Sequence, residues 1–299
     1  MNLLFRRRGL RAAWLTLLIC LLGTVPAWAS HPALWRASDA DTTVYFFGTV
    51  HTLTKDTHWH FPALDKALDS SKMLYIEAAD INPATVQPLV MKYGLDPAHP
   101  LSDKLSAQEN ALLQQAAKQI DMPGGAAAMN VMKPWLASLT ISTAPLLKAG
   151  YDPSLGVDKQ LQAAMKQVDK PVKGLETAKQ QIMFFANMPE SVQLHLLRQS
   201  LHDYAHAKTQ LSAIVDAWKQ GDVEAIAQTI VAKLKDRSPR LYQTLLVNRN
   251  QVWAQQIADI MKTTPGTIFI AVGAGHLAGP DRLQLQLEKL GIQTSRVDD

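Results

Sequence analysis

Pro265-Gly266 opens a run of β-branched and aromatic residues, Thr267-Ile268-Phe269-Ile270-Ala271-Val272, which leaves through Gly273-Ala274-Gly275-His276-Leu277-Ala278-Gly279. A short apolar run bounded by glycines reads as a buried strand with a tight, irregular exit. Residues without Cβ let backbone approach whatever the His276 imidazole holds. The arrangement recurs near the other end of the chain, where Val44-Tyr45-Phe46-Phe47 is a strand and Gly48-Thr49-Val50-His51 its exit. Two Gly-x-x-His exits, one near each end of the chain, are the main clue, and a sheet that takes strands from both ends is the economical way to use them.

The first residues do not belong to that fold. Arg6, Arg7, Arg8 and Arg11 precede an apolar stretch over residues 12–25, and Ala27-Trp28-Ala29 gives the small-x-small pattern of a signal-peptidase site. Residues 1–29 read as a secretory signal, which implies a periplasmic or secreted protein and no stable membrane span after cleavage. The chain has 30 basic and 26 acidic residues, and all four basic residues before Ser30 are arginines, so the mature part is formally neutral. Nothing in that balance points to nucleic acid. The single cysteine, Cys20, also lies in the signal, which leaves no thiolate for a disulfide, a nucleophile or a metal. Any metal is held by nitrogen and oxygen.

Residues 30–299 are long enough for one domain. Leu34 to Ser38 and Thr43 to Phe47 form a hairpin around Asp39-Ala40-Asp41-Thr42, residues 61–68 a short helix, and Met73-Leu74-Tyr75-Ile76 a strand ending at Glu77. A helical region begins at Pro83. Gly156-Val157-Asp158 starts a further helix, Pro171 to Leu175 is a short strand ending at Glu176, and helices resume from Pro189 to about Met261. A helix over residues 280–290 and a strand over residues 292–297 close the chain. The expected class is α/β: a mixed sheet built from N- and C-terminal strands, with a large helical insert over about residues 83–262.

Glu77, Glu176 and His276 follow the carboxyl ends of three of these strands, and His51 follows a fourth. If the strands run parallel, all four residues face one crevice. Imidazoles and a carboxylate suit Zn²⁺, Mn²⁺ or Fe²⁺ with positions left open for water. The same histidines could instead hold their turns by hydrogen bonds. Arg249 falls within the apolar stripe Leu241, Leu245, Val252 and Trp253 of the helix that starts at Ser238-Pro239. A buried guanidinium needs an anion, so Arg249 is expected near Glu77, Glu176 or Asp158, where it either forms a structural pair with Asp158 or Glu176, or orients a carboxylate of the site or stabilises negative charge on a substrate. His195, His202 and His206 share a helical face and form a rival metal site, with His202-Asp203-Tyr204-Ala205-His206 resembling a zinc helix loosely. His58 and His60 are a weaker pair.

Both Gly-x-x-His turns, Glu77, Gly156-Val157-Asp158, Gly174-Leu175-Glu176-Thr177, Asn248-Arg249-Asn250 and the residues from Gly273 to Gly279 occur in an order that resembles the TraB/GumN family across nearly the whole mature chain. The chain departs from that pattern at Asn248, where glutamate is common, and at Arg282, where glycine is expected. The family is related to the Tiki metalloproteases. The resemblance implies a single TraB/GumN-like domain over residues 30–299, a divalent metal (Zn, Mn, Fe or Co) on His51, Glu77 and His276, and Arg249 close by. It implies an exported metal-dependent hydrolase of a peptide or small-molecule substrate, with Glu77, Arg249 and Glu176 as catalytic residues. The alternative is a non-catalytic binding protein for haem or an envelope polysaccharide.

Overall fold

A computed structural model describes residues 31–297, so the signal expected over residues 1–29 lies outside the described residues. The six strands are β1 (Leu34–Ser38), β2 (Thr42–Thr49), β3 (Met73–Ala78), β4 (Val172–Glu176), β5 (Gly266–Gly273) and β6 (Ser295–Arg296). They form one mixed sheet in the order β4-β3-β5-β2-β1-β6. β4, β3, β5 and β2 are mutually parallel, whereas β1 and β6 add an antiparallel edge. The β1–β2 hairpin turns on Asp39, whose carboxylate accepts from the backbone N–H of Asp41 and Thr42.

β5 is the central strand, and Ile268 to Val272 are at most 1% exposed. Covering by helices on both faces explains a run with no polar alternation. Phe269 and Ala271 join Phe47, Leu74 and Ile76 on one face, packed against Leu64, Leu161 and Trp218. Ile268, Ile270 and Val272 join Val44 and Phe46 on the other, against Trp253, Ile257, Met261 and Leu287. A separate helical cluster, including Leu113, Ile141, Leu197 and Leu201, lies within the insert. β4 enters the sheet between the two halves of that insert, so its helices are two excursions from the sheet.

Three sequence expectations change. The helix expected over residues 280–290 is Leu283–Glu288, and the last strand shortens to Ser295–Arg296. The helix Ala178–Ala186 was not foreseen, although Thr177 and Gln180 form its capping box. The helix carrying Arg249 is not continuous: a π-turn, Gln243–Val247, precedes Asn248–Thr263. Among the described residues no helix is long and apolar enough to cross a membrane.

Glu109 ties the helical lobe together. It closes the capping box of the helix Ala107–Gln119 and accepts from Arg198 Nε at 2.6 Å on the helix Glu190–Asp203. The Arg198 hydrogen bond and the Ser106 backbone N–H lower its carboxyl from 4.5 to about 2. A depressed carboxyl contributes stability that is present above its unfolded value and lost as pH falls toward its folded one. The stability difference between the natural protein and Glu109→Gln, measured by urea unfolding, is therefore expected to be constant above pH 4.5 and to shrink between pH 4.5 and about 2. A pH-independent difference would assign Glu109 a packing role only.

Candidate active site at the carboxyl edge of the sheet

The parallel strands end side by side, with Thr49 opposite Gly273 and Ala78 opposite Glu176. This edge gathers His51, Glu77, Glu176 and His276, as expected for strands that run parallel. The turn after β2 is held by the segment that begins the helix Val157–Gln167. Val157 N–H donates to Val50 O at 3.0 Å, and a Cβ on Gly156 would overlap the His51 carbonyl. Gly156 is thus needed for close approach, and Asp158, two residues on, meets His51 Nδ1 at 3.0 Å. The Gly156-Val157-Asp158 motif is a clamp on the His51 turn.

β5 contributes the facing wall. Gly273 N–H donates to Glu77 Oε1 at 2.8 Å, and an added Cβ at Gly273 would lie 3.1 Å from that oxygen and 3.3 Å from His51 Nε2. His276 follows in the short turn Ala274–Leu277, buried against Trp253. Its Nε2 lies 3.8 Å from Glu77 Oε1, and His51 Nε2 lies 4.0 Å from the same oxygen.

The tautomer of His276 follows from Asn250. Both N–H bonds of the Asn250 amide are committed, to His276 O at 3.3 Å and Asp281 O at 2.8 Å. Its oxygen therefore faces His276 Nδ1 at 2.6 Å, so Nδ1 carries the proton and Nε2 keeps its lone pair. Asn250 was quoted only as part of a triplet in the sequence; nothing there marks it as a histidine's partner. Asp158 plays the corresponding part for His51.

Arg249 has only a tenth of its side chain exposed. Nη2 meets Glu77 Oε2 and Glu176 Oε1, each at 2.6 Å, Nε meets Glu176 Oε2 at 3.1 Å, and Nη1 is 3.0 Å from both Leu245 O and His276 Nε2. All its donors are engaged. The partners are Glu77 and Glu176, two of the three acids expected near it; Asp158 serves His51 instead. The expected stripe was partly wrong: Val252 is 56% exposed. The π-turn adds a residue between the buried pairs Leu241-Tyr242 and Leu246-Val247, after which Asn250, Trp253, Ala254 and Ile257 continue the inward face. Asn248 points away and accepts from Gln243 Nε2, so its departure from the family pattern costs Arg249 no partner. Gln181, on the unforeseen helix, donates to Glu77 at 3.1 Å and Glu176 at 2.8 Å.

Burial opposes ionisation of Glu77, but Arg249 and the Gly273 N–H hold its carboxyl well below the usual range. Burial raises Glu176, which Arg249 counteracts. Burial, with Arg249 and His51, lowers His276 to about 3, in agreement with a bare Nε2 accepting from Arg249. For His51, desolvation is outweighed by the Asp158 hydrogen bond and the charges of Glu77 and Asp158, which lift it to about 9. The ring is 58% exposed, and solvent there screens part of the rise. With His276 neutral, the carboxylates of Glu77, Glu176 and Asp158 outnumber the Arg249 guanidinium, which favours a positive charge at His51, carried by a proton on its ring or by a metal ion in the proton's place.

The donor set fits such a cation chemically. Each Nδ1 is anchored by an oxygen, the usual second-shell arrangement for histidine ligands. His276 Nε2 is engaged by Arg249 Nη1 at 3.0 Å, so an ion held there has to displace that bond. As arranged, no group of three or more His, Cys, Asp or Glu among the described residues is placed to hold a metal ion. The rival histidines diverge: His195 and Gln199 meet beside Arg237 O, and the chain tightens into a 3₁₀ turn at Tyr204–His206, with His202 and His206 exposed. His60 is turned to Asp65. A cleft of about 230 Å³, lined by His51, Glu77, Asp158, Ile81, Pro153 and Lys159, opens onto the site.

Gly156→Ala is expected to displace the His51 turn and destabilise the protein by about 1–3 kcal/mol, the usual result of overpacking. Urea unfolding measures it; unchanged stability would mean that the two backbones are not in close contact.

The chain resembles known proteins over nearly its whole length. The model of the TraB/PrgY/gumN family matches residues 33–296. "Uncharacterized protein YbaP" of Escherichia coli strain K12 is 25% identical over 287 residues, covering 96% of this chain and 100% of that protein. The protein of the same name in Shigella flexneri is similar to the same extent. No solved structure matches the chain. With a match that takes in β1, β6 and every residue of the His51–Glu77–Arg249–His276 cluster between them, the chain belongs to the TraB/PrgY/gumN family.

Proposed function

We propose that the protein is an exported, divalent-metal-dependent hydrolase whose substrate is a peptide or another carbonyl compound. The observation that carries this reading is the pair of imidazoles, each with Nδ1 tied to an oxygen, whose Nε2 atoms flank Glu77 Oε1 at 4.0 and 3.8 Å. Export rests on the basic-apolar-small pattern of residues 1–29.

His51, Glu77 and His276 would hold the ion. Bound there, a divalent metal supplies Lewis acidity and a water of lowered pKa. The remaining chemistry belongs to the side chains. Glu77 is a ligand in this reading, not a base: Arg249, Gln181 and the Gly273 N–H occupy most of its acceptor sites and keep its proton affinity low. Glu176 orients Arg249 through two bonds. The Arg249 N–H that faces His276 is the donor not committed to a carboxylate or a carbonyl, which suits it to hold developing negative charge. A cleft of about 230 Å³ is below the ~300–1,000 Å³ of pockets that enclose drug-sized ligands. That size favours a chain threaded past an open mouth over an enclosed haem.

Protein purified without a histidine tag is expected to carry one equivalent of metal and to hydrolyse a generic peptide or ester. His51→Ala and His276→Ala should lose the metal, whereas His202→Ala combined with His206→Ala should keep it. Glu77→Gln should lose metal and turnover together; retained metal with turnover lower by roughly two to four orders of magnitude would make Glu77 the base. Absence of both metal and hydrolysis, with a Soret band on haem addition that vanishes in His51→Ala, would replace this reading by the binding-protein one.

A further inference from the structure

A second cleft, of about 660 Å³, opens at the antiparallel edge of the sheet, between β1, β6, the segment Gly279–Arg282 and the π-turn Ala227–Ala232. We propose that it binds a small organic anion: one phosphate or carboxylate group on an apolar body.

Three cations line the cleft, Lys235, Arg282 and Arg296. None belongs to the ion pairs of the described residues. Arg282 Nη1 donates to Gly279 O at 3.1 Å, Arg296 Nη1 to Gly221 O at 3.1 Å, and the Lys235 ammonium lies 5.4 Å from the Tyr242 ring centroid. Each is positioned by a neutral partner and keeps its full charge. Two acids also line the cleft: Glu224, which accepts from Gln228, and Asp236. Asp281 is turned away to the Tyr242 hydroxyl at 2.5 Å. The cations exceed the acids.

The discriminating feature is a pair of orphan donors. Trp35 and Arg296 are direct partners in the β1–β6 register, so their side chains share one face of the sheet. Trp35 Nε1 and Arg296 Nη2 are both buried without a hydrogen-bond partner. Solvated surface cations do not leave donors in that state, since buried N–H groups are nearly always paired. Arg296 Nη2 lies close against Gly221, whose positive φ of 63° and missing side chain make the room. An oxyanion offers several acceptor lone pairs in a compact group, and guanidinium binds it by charge-assisted hydrogen bonds. The volume exceeds that of a lone inorganic ion and falls in the usual ligand range. Val223, Ala227 and Val231 supply an apolar wall for the rest of the molecule.

The probes are phenyl phosphate, benzoate and inorganic phosphate, each added up to about 10 mM, weaker than most specific binding. The readout is the Trp35 indole N–H resonance of ¹⁵N-labelled protein, identified by its loss in Trp35→Phe. An aromatic anion is expected to move that resonance saturably and to bind at least tenfold more tightly than inorganic phosphate. Phenyl phosphate ahead of benzoate identifies a phosphoryl headgroup, and the reverse a carboxylate. Arg282→Gln and Arg296→Gln are each expected to weaken binding by about tenfold, or 1.4 kcal/mol. Arg282 makes only one backbone contact, so its variant remains informative if Arg296→Gln fails to fold. An unmoved Trp35 resonance, equal binding of inorganic phosphate, or undiminished affinity in Arg282→Gln would overturn the proposal. None of these outcomes depends on metal or on hydrolysis at the other cleft.

Discussion

Two carboxylates, Glu77 and Glu176, end neighbouring strands with almost no exposure, and the guanidinium of Arg249 between them makes that arrangement tenable. Burying like charges together is costly unless a cation satisfies both, and breaking such a set leaves an uncompensated charge. The helix Asn248–Thr263 must therefore cross the carboxyl edge of the sheet with Arg249 over β3 and β4. Trp253 and Phe184 bracket the guanidinium, with ring centroids 4.5 and 5.4 Å from its central carbon. Gln181 then bridges the same two carboxylates. The second half of the helical region is organised around this one cation.

The parallel core of the sheet was legible because its signal is short-range. Gly273 and Gly48 mark strand exits, and Glu77 and Glu176 close apolar runs, so strand polarity alone placed them on one edge. The charge in the helix at Arg249 was legible for a similar reason. What could not be read depends on hydrogen-bond partners distant in sequence: Asn250 with His276, Asp158 with His51, and Gln181 with both glutamates. The π-turn was invisible to a 3.6-residue period, since one added residue between Tyr242 and Leu246 rotates everything after it. That rotation explains why Val252 is exposed although a regular helix places it inward. The Thr177–Gln180 capping box, like that of Ser106 and Glu109, is a missed signal that was present in plain sequence.

The two histidines are alike in motif and unlike in setting. His276 is locked by Asn250 and Trp253 in one tautomer and one orientation, with 4% of the residue exposed. His51 stands at the cleft, held at Nδ1 by Asp158 but open over more than half of its side chain. The difference has a structural origin. β5 is interior and continues into a turn beneath the helix Asn248–Thr263, whereas the turn after β2 is clamped by Gly156-Val157-Asp158 on one side and leaves His51 open on the other. An approaching molecule therefore meets His51 first, together with Ile81, Pro153 and Lys159, and reaches Glu77 next. His276 and Arg249 form the floor behind them. In the proposed hydrolase, selectivity would belong to the loop residues at the mouth and the chemistry to the strand ends beneath it, a division that would let the same buried floor serve different substrates through changes confined to those loops.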